Sequence, residues 1–425
     1  MPAITAPRGT QDILPDRSPR WEWILRSHAD LAQRSGYALL ETPIFEATEL
    51  FERGTGAGTD VVEKEMYTFR DRGDRSITLR PETTPSAVRA VLQAHLDQET
   101  RPVRVRYAGP QFRYDRPQAG RYRQFWQVGV EAIGEHSPGF DVEVVDLAWR
   151  YFQSLGIEGI SLQLNTLGDL DDRTRYRAAL VAYYTPHRQQ LCDDCTRRLE
   201  INPLRLLDCK RDSGLVAGAP DIAGSLSAPS REFFERVQSG LRGRVPYRLN
   251  PRLVRGLDYY AHTTFEVWHE SLQGAQNALG GGGRYDGLAA VLGFPSTPGV
   301  GYALGVERIL HVCETAGLGP NAAQRTAITV ISLDAASLNV ALGHADQLRG
   351  AGREAVVDAS DRRLDRRLRN AERSGSRVAV IVGSDEARDG TITVRDLVGR
   401  SQTTTPAAAL GEHVDAILRK QQSDA

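Results

Sequence analysis

The chain has 425 residues, of which 40% are hydrophobic and 25% are charged. These values are ordinary for a soluble globular protein of two or three domains, and they exclude a disordered or fibrous chain. Lys and Arg number 53 against 54 Asp and Glu, so the nearly neutral charge gives no sign of a general nucleic-acid binder, and any such partner has to bind a local patch. No apolar run follows a basic segment near the start, and none is long enough to span a bilayer, so a cytoplasmic location is expected.

The first chemically informative segment is LRPETT at 79–84, which follows a predicted strand. Glu82, Thr83 and Thr84 offer a carboxylate and two hydroxyls, which suit a substrate ammonium group. Pro81 followed by Thr-Thr-Pro-Ser is equally typical of a helix start with capping residues. The segment alone leaves a binding role and a capping role open.

Residues 107–134 predict two antiparallel strands joined by an arginine-rich loop. The first strand ends at Arg113, and the second runs through Gln127 to Glu131. The loop contains Arg116, Pro117, Gly120, Arg121 and Arg123. Because side chains alternate across a strand, Gln127, Gly129 and Glu131 share one face, and the glycine leaves room for a small ligand. The alternative is that Glu131 pairs with a surface arginine.

Residues 170–230 are predicted to form a helical, polar insertion between two halves of the large domain. The insertion contains Cys192, Cys195 and Cys209, with His187 just upstream. Cysteine and histidine are zinc ligands, but the spacing is irregular for a zinc ribbon or finger. A reduced structural trio is the favoured interpretation in a cytoplasmic protein, and no metal site is predicted.

Two later segments suit a phosphorylated, flat ligand. RGLDYY at 255–260 joins the planar cation of Arg255 to the aromatic hydroxyls of Tyr259 and Tyr260, although an ordinary strand with a surface arginine fits these six residues equally well. The glycine-rich run at 279–288 then precedes GVGYALGVERIL, a strand and helix carrying Arg308. Glycines on a strand allow close approach by a flat ligand, and an arginine beyond it can reach a base or a phosphate.

Residues 317–324, GLGPNAAQ, are rich in breakers and predict a boundary between a domain over 1–320 and a second over 325–425. Strands alternating with helices predict a small α/β domain with a mostly parallel sheet in the second. Its expected strands are 328–333, 354–358, 378–383 and 391–397, and its expected helices lie around 336–350, around 362–374 and at the end of the chain.

The helix expected around 362–374 has a cationic face. Its arginines at helical spacing are Arg362, Arg366, Arg369 and Arg373. A solvated face, partly compensated by Asp361 and Asp365, is the favoured interpretation. Contact with RNA phosphates is the alternative, because clustered guanidiniums release counterions on binding.

Taken together, the motifs resemble those of the histidyl-tRNA synthetase family, within the class II aminoacyl-tRNA synthetases. PRGTQDILP at 7–15 resembles the family's opening segment. Three segments resemble the three motifs of the class. The first motif is similar to ETPIFEATELFERGTG at 41–56, the second to FRYDRPQAGRYRQF and the third to GVGYALGVERIL. RGLDYY and GGGRYDGL resemble two segments peculiar to the histidine enzymes, and the match runs nearly end to end.

The resemblance implies an α+β fold, in which a class II catalytic domain with an antiparallel β-sheet flanked by helices carries a helical insertion and a C-terminal α/β anticodon-binding domain. It implies ATP-dependent activation of L-histidine and its transfer to the 3′ end of tRNA(His), with Mg²⁺ as cofactor. In the class the first motif forms the dimer interface, so a homodimer is expected.

The resemblance also implies roles for individual residues. Glu82, Thr84 and Gln127 are expected to bind the α-amino group of the substrate. Glu131 and Tyr260 are expected to bind the imidazole, in a pocket that Tyr259 and Tyr285 help to shape. Thr83 is also expected among the histidine-binding residues. Arg113, Arg308 and Arg121 are expected to bind ATP, and Arg121 is expected to reach its outer phosphates. Arg255 is expected to bridge the histidine carboxylate and the α-phosphate, so the catalytic residues are Arg255 and Arg113. Thr83 stands where the family commonly has glycine, and Asp115 where it commonly has glutamate.

Two other protein classes share parts of this pattern. A synthetase-like regulatory subunit of ATP phosphoribosyltransferase shares the fold and senses histidine, but such paralogues typically lack the C-terminal domain and the arginine of RGLDYY. A synthetase for threonine or proline has a similar C-terminal domain, but RGLDYY and GGGRYDGL argue against it.

Overall fold

The computed structural model describes residues 3–56, 59–116, 120–272, 277–320 and 328–423. The chain divides into two compact units, Met1–Gly319 (unit 1) and Pro320–Ala425 (unit 2). Pro117 of the arginine-rich loop and residues 321–324 of the expected boundary segment lie outside the described residues.

Unit 1 contains 11 strands and 11 α-helices in the described residues. The strands are β1 (Ala38–Leu39), β2 (Phe45–Ala47), β3 (Tyr67–Arg70), β4 (Ser76–Leu79), β5 (Val103–Phe112), β6 (Gln124–Ile133), β7 (Ile160–Thr166), β8 (Tyr247–Leu249), β9 (Ala261–His269), β10 (Ala278–Arg284) and β11 (Gly299–Gly305). The helices are α1 (Ser18–Arg34), α2 (Thr48–Thr55), α3 (Thr84–Gln93), α4 (Leu96–Glu99), α5 (Pro138–Ser154), α6 (Leu170–Tyr184), α7 (Asp193–Ile201), α8 (Ser213–Gly218), α9 (Ala228–Leu241), α10 (Leu288–Val291) and α11 (Val306–Thr315). Short 3₁₀ helices cover Thr185–Gln190, Pro203–Asp208 and Ile222–Ser225, and a π-helical turn covers Val61–Glu65.

The main sheet of unit 1 has the strand order β1-β5-β6-β11-β10-β9-β7-β8 in the described residues. Its six inner strands are antiparallel to their neighbours, while the short edge strands β1 and β8 run parallel to theirs. A separate antiparallel sheet has the order β2-β4-β3. The antiparallel sheet flanked by helices agrees with the fold class expected from the sequence.

Hydrophobic residues cover both faces of the main sheet. On one face, Val128 and Val130 of β6 pack in a core with α1, α5, α9 and α11. On the other face, Val105 and Ile133 pack with α3, with the 170–230 region and with Tyr259. Because alternate residues of a strand point to opposite faces, Gln127, Gly129 and Glu131 of β6 lie on this second face.

Local sequence explains where the helices of the 170–230 region begin. Asp169 accepts a hydrogen bond from the backbone N–H of Asp172, and the Asp172 carboxylate accepts one from the N–H of Asp169, which forms a capping box at the start of α6. Ser227 caps α9 by accepting a hydrogen bond from the N–H of Ser230. The region is helical and carries many charged residues, as expected.

Unit 2 has one five-stranded sheet within the described residues, with the order β13-β12-β14-β15-β16. Its elements are β12 (Ile328–Ser332), α12 (Leu338–Gly350), β13 (Ala355–Asp358), α13 (Leu364–Arg373), β14 (Val378–Val382), α14 (Ser384–Asp389), β15 (Thr391–Asp396), β16 (Gln402–Pro406), a 3₁₀ turn (Ala407–Ala409) and α15 (Leu410–Ser423). The first three strands along the chain are parallel, while β15 and β16 add two antiparallel pairings, so the sheet is mixed and not mostly parallel. The sequence-based prediction missed β16 because its polar run QTTTP is typical of a loop.

In the part of the chain that the structure describes, no helix has the length and apolar character needed to cross a membrane.

Candidate active site

A cleft of about 380 Å³ opens in unit 1 beside the adjacent strands β6, β11, β10 and β9. Five residues singled out from the sequence line it: Arg113, Arg121, Gln127, Arg255 and Arg308. Arg113 directly follows β5, Gln127 lies on β6, Arg255 lies before β9, and Arg308 lies in the first turn of α11. The order of the strands in the sheet brings these distant parts of the chain together.

Four arginines and three carboxylates line the cleft, so its charged side chains are positive on balance. Arg308 donates through Nη1 to the carbonyl oxygen of Ala278 at 2.5 Å, and Arg113 donates through Nε to that of Pro81 at 2.9 Å. Burial and the neighbouring charges of Arg121 and Arg113 lower the pKa of Arg308. Guanidinium groups held close together in this way favour a polyanionic ligand such as a nucleotide triphosphate.

Arg255 lies in a loop, not in a strand, so the interpretation of RGLDYY as an ordinary strand is wrong. Its side chain is only 17% exposed, and Nη1 donates to Glu266 Oε1 at 2.5 Å. Glu266 also accepts a hydrogen bond from Trp268 Nε1 at 2.7 Å. Although burial opposes it, the Glu266 carboxylate raises the pKa of Arg255, so the guanidinium stays charged. Its Nε is buried and has no hydrogen-bond partner in the described residues.

Glu82 is held in a buried network. Its carboxylate accepts hydrogen bonds from the hydroxyls of Thr55 at 2.8 Å and Tyr259 at 2.6 Å. Burial raises the pKa of Glu82, while these hydrogen bonds oppose the rise. Thr83 occupies the N-cap position of α3, but its hydroxyl accepts from Gln111 Nε2 at 2.7 Å and does not cap the helix. The capping role left open for this segment is therefore not its main one.

Glu131 forms a second buried network on the same face of the sheet. It accepts hydrogen bonds from the hydroxyls of Thr84 at 2.8 Å, Tyr107 at 3.2 Å and Tyr285 at 2.5 Å. Burial raises the pKa of Glu131 to about 7, despite these three donors. The alternative that Glu131 pairs with a surface arginine is wrong, because the side chain is fully buried among hydroxyl groups.

The glycines of β10 and β11 make room for side chains of the site. A Cβ atom on Gly281 would lie 2.9 Å from Arg255 Nη1, and one on Gly301 would lie 1.7 Å from Glu131 Oε2. A larger residue at either position would displace the site residue beside it. The sequence suggested close approach of a ligand to these glycines, whereas in the structure the protein's own functional groups fill much of the space.

The remaining predicted residues lie deeper than the cleft wall. Seven of them are buried: Glu82, Thr83, Thr84, Glu131, Tyr259, Tyr260 and Tyr285. Burial raises the pKa of Glu82, and Arg113 and Arg255 are close enough for their charges to oppose part of that rise. The guanidinium carbon of Arg255 lies 5.8 Å from the centre of the Tyr260 ring. The cationic cleft and the buried carboxylates therefore adjoin each other.

Sequence reasoning missed several residues of the site. Glu266 was detectable as the only carboxylate in strand β9. Tyr107, Gln111 and Thr55 had no local signal, because their roles depend on contacts with Glu131, Thr83 and Glu82 that are distant in sequence.

Comparison with known proteins agrees with this architecture. A family model described as histidyl-tRNA synthetase matches residues 9–171 and 214–309, and one described as anticodon binding domain matches residues 327–417. The histidine–tRNA ligase of Pelotomaculum thermopropionicum is 46% identical over 423 residues, covering 99% of each chain. The apo crystal structure of the S. aureus histidyl-tRNA synthetase has a TM-score of 0.80 and 35% identity, covering 97% of this chain and 100% of that one.

A structure described as an ATP phosphoribosyltransferase regulatory subunit/histidyl-tRNA synthetase from Bacillus halodurans C is 19% identical, with a TM-score of 0.65, over 90% of this chain and 100% of its own. At that identity it shows a shared fold alone. The fold and the site thus define an aminoacyl-tRNA synthetase with the antiparallel sheet of class II. The chain belongs to the histidyl-tRNA synthetase family.

Proposed function

We propose that this chain activates L-histidine with ATP to form histidyl-adenylate and then transfers the histidyl group to the 3′ end of tRNA(His). The observation that carries the proposal is the placement of Arg255, which lines a cationic cleft next to the buried Glu82 network in a chain that retains the anticodon-binding unit. The regulatory-subunit alternative requires neither of these features.

The first step needs charge stabilisation and no general base. The ionised histidine carboxylate attacks the α-phosphorus in line and pyrophosphate leaves, so negative charge spreads over the phosphate oxygens. Arg255 lines the cleft and is proposed to bridge the carboxylate and the α-phosphate through N–H groups that do not pair with Glu266. Arg113 and Arg308 are proposed to hold ATP, with Arg121 at the outer phosphates. Fixed guanidinium groups stabilise the developing charge without reorganising.

The buried carboxylates are proposed to recognise the amino acid. Glu82, Thr84 and Gln127 would hold the α-amino group. Gln127 Oε1 is buried without a hydrogen-bond partner in the described residues, which supports its use as an acceptor. The aromatic hydroxyls around Glu131 form a buried polar environment suited to imidazole, and Glu131 and Tyr260 are proposed to bind the ring nitrogens. A side chain without such groups leaves buried polar atoms unpaired, which gives strong discrimination.

Mg²⁺ is proposed to enter with ATP. Asp115 and Glu266 line the cleft and offer the carboxylate oxygens that Mg²⁺ prefers, but Asp115 pairs with Arg121 and Glu266 pairs with Arg255. The residues therefore fit an ion held chiefly by the phosphates of ATP, with few protein ligands. When bound, the ion supplies further neutralisation of the phosphate charge.

The second step is proposed to use unit 2 for tRNA binding. A terminal hydroxyl of the tRNA attacks the acyl carbonyl, and a phosphate oxygen of the adenylate is the proposed proton acceptor. Exposed arginines on and just before α13 support contact with the phosphates of the anticodon arm, although Arg369 also pairs with Asp365: Arg362, Arg366, Arg369 and Arg373.

A homodimer in the cytoplasm is proposed as the working form. Large apolar side chains are exposed on and beside the segment that resembles the first motif, at Leu39, Ile44, Phe45 and Phe69. A cluster of this kind is typical of an interface. The four cysteines are free, which suits a reducing compartment. The molar mass in solution tests this proposal, and a strictly monomeric active protein would contradict it.

The test of function is histidine-dependent exchange of labelled pyrophosphate into ATP by the purified full-length chain with Mg²⁺. Exchange with histidine, and not with threonine or proline, is expected. Histidine binding without any exchange would favour a regulatory subunit. A chain truncated after Gly319 is expected to keep some exchange and to charge tRNA poorly, since unit 2 is absent; full charging by that truncated chain would contradict the proposed role of unit 2.

A further inference from the structure

Three cysteines and one aspartate of the insertion converge on one point. The ligand atoms of Cys192, Cys195, Cys209 and Asp212 all lie within 4.8 Å of one another. Cys195 is fully buried, and none of the three thiols is in a disulfide. The Sγ atoms of Cys192 and Cys209 are 3.8 Å apart. None of these groups belongs to the candidate active site.

The spacing of these residues forms two matching pairs. Cys192 and Cys195 are separated by two residues, and Cys209 and Asp212 are also separated by two residues. A ligand set of the three cysteines with His187 has a spacing that is irregular for a zinc ribbon or finger. In the structure His187 is not part of the group. With Asp212 in its place, the pattern has the two short pairs that are typical of structural zinc sites.

The geometry also matches a metal better than a disulfide. Two thiolates on a tetrahedral zinc ion with Zn–S bonds of about 2.3 Å lie about 3.8 Å apart. A disulfide requires its sulfurs to be about 2.05 Å apart. No separation in the group exceeds the tetrahedral value by more than about 1 Å, which is a small movement for side chains at the ends of short helices.

The fold holds the four residues at helix ends. Cys192 is the N-cap of α7 and Cys195 lies in its first turn, while Cys209 and Asp212 flank the turn before α8. The Asp212 carboxylate accepts hydrogen bonds from the backbone N–H of Cys192 at 3.1 and 3.3 Å, which ties the two pairs together. These contacts place the carboxylate beside the thiols before any ion binds.

We propose that Cys192, Cys195, Cys209 and Asp212 bind one zinc ion in a closed structural site. Three thiolates select a soft or borderline metal over Mg²⁺ or Ca²⁺, and four protein ligands leave no open position for catalysis. The site lies apart from the cleft and supplies no step of the synthetase reaction.

The segment 192–212 closed by the zinc contacts two loops of the candidate active site. Asn202 donates through Nδ2 to Asp258 Oδ1 at 2.5 Å, within RGLDYY. Arg198 and Arg205 both pair with Asp60, at 2.9 and 3.3 Å. By fixing this segment, the ion stabilises the insertion. It also stabilises the position of the loop that carries Arg255, through the contact between Asn202 and Asp258.

Zinc content of the full-length chain, purified without chelators or metal-affinity resin, tests the proposal. About one zinc ion per chain is expected by mass spectrometry. The double variant Cys192→Ser/Cys209→Ser and the single variant Asp212→Ala are expected to lose most of it. Cys313→Ser is the matched control, because Cys313 is buried in α11 outside the group and its loss should leave the zinc in place.

A second measurement uses the unaltered chain, so its result does not depend on whether the variants fold. After chelation and dialysis against Co²⁺, the protein is expected to show a thiolate-to-cobalt charge-transfer band and tetrahedral d–d absorption, and added Zn²⁺ should remove both. Absence of zinc together with no cobalt spectrum would overturn the proposal. So would a Cys192–Cys209 disulfide in the purified protein, or full zinc retention by the folded double variant.

Discussion

Replacement of Arg255 by alanine is the most informative single change in the active site. The guanidinium lies at the edge of the cleft, pairs with Glu266 through Nη1 and leaves Nε free. Loss of one preorganised donor to transition-state charge slows catalysis by about 100- to 1,000-fold, which corresponds to about 2.7–4 kcal/mol. We expect Arg255→Ala to reduce kcat for pyrophosphate exchange by this factor while the chain stays folded.

The structure offers a way to separate loss of charge stabilisation from disruption of the site. Arg255→Ala leaves the partly buried Glu266 carboxylate with only the hydrogen bond from Trp268, and an unpaired group of this kind costs about 1–3 kcal/mol. The double variant Arg255→Ala/Glu266→Gln removes that unpaired charge. If Arg255 acts on the phosphate, the double variant stays as slow as the single one.

The assay is histidine-dependent pyrophosphate exchange, with kcat and KM for ATP and histidine measured separately for wild type, both single variants and the double variant. Thermal unfolding of each protein checks that the fold is retained. Exchange within about threefold of wild type for Arg255→Ala, or recovery of exchange in the double variant, would refute the proposed role of Arg255.

Three further predictions concern other parts of the molecule. Glu131→Gln keeps the shape of the pocket but removes an ionised acceptor, so kcat/KM for histidine should fall by about tenfold or more in the exchange assay, and an unchanged value would contradict the imidazole role of Glu131. Burial lowers the pKa of His28, which is hydrogen-bonded to Tyr302 at 3.0 Å, to about 3. Since this lies below the unfolded value of about 6.5, the stability that neutral His28 contributes is present above that pH and is lost as pH falls toward 3. From about pH 7.5 to pH 5 the wild type should lose about 2 kcal/mol of unfolding free energy that His28→Phe does not lose, measured by urea titration, and equal losses would refute the assignment. Arg366 and Arg373 are exposed and make no ion pair within the described residues, so replacing both with alanine should lower the rate of tRNA charging severalfold and leave exchange unchanged; equal charging would point to a different tRNA-binding face.

Local sequence patterns predicted the parts of the fold that depend on interactions between residues close together in the chain. The alternation of side chains in 107–134 correctly gave the antiparallel pair β5 and β6, and the shared face of Gln127 and Glu131 follows from it. The helical character of 170–230 was also correct. Each of these features depends on residues close together in the chain, where period and turn chemistry are informative.

Features that depend on tertiary contacts were missed or misread. Glu266 acquires its importance from its hydrogen bond with Arg255, which lies 11 residues earlier in a loop with no regular pattern. Asp212 completes the cysteine group only when the turn before α8 meets the start of α7. The glycines of β10 were read as space for a ligand, although the side chain of Arg255 lies against one of them.

Charging of tRNA(His) with labelled histidine by the purified full-length chain tests the central claim most directly, because it requires the cleft, the amino-acid pocket and unit 2 to work together. The account predicts accumulation of histidyl-tRNA that depends on ATP, Mg²⁺ and histidine and that is abolished by omitting any of them. Binding of histidine with no acylation of tRNA under these conditions would contradict it.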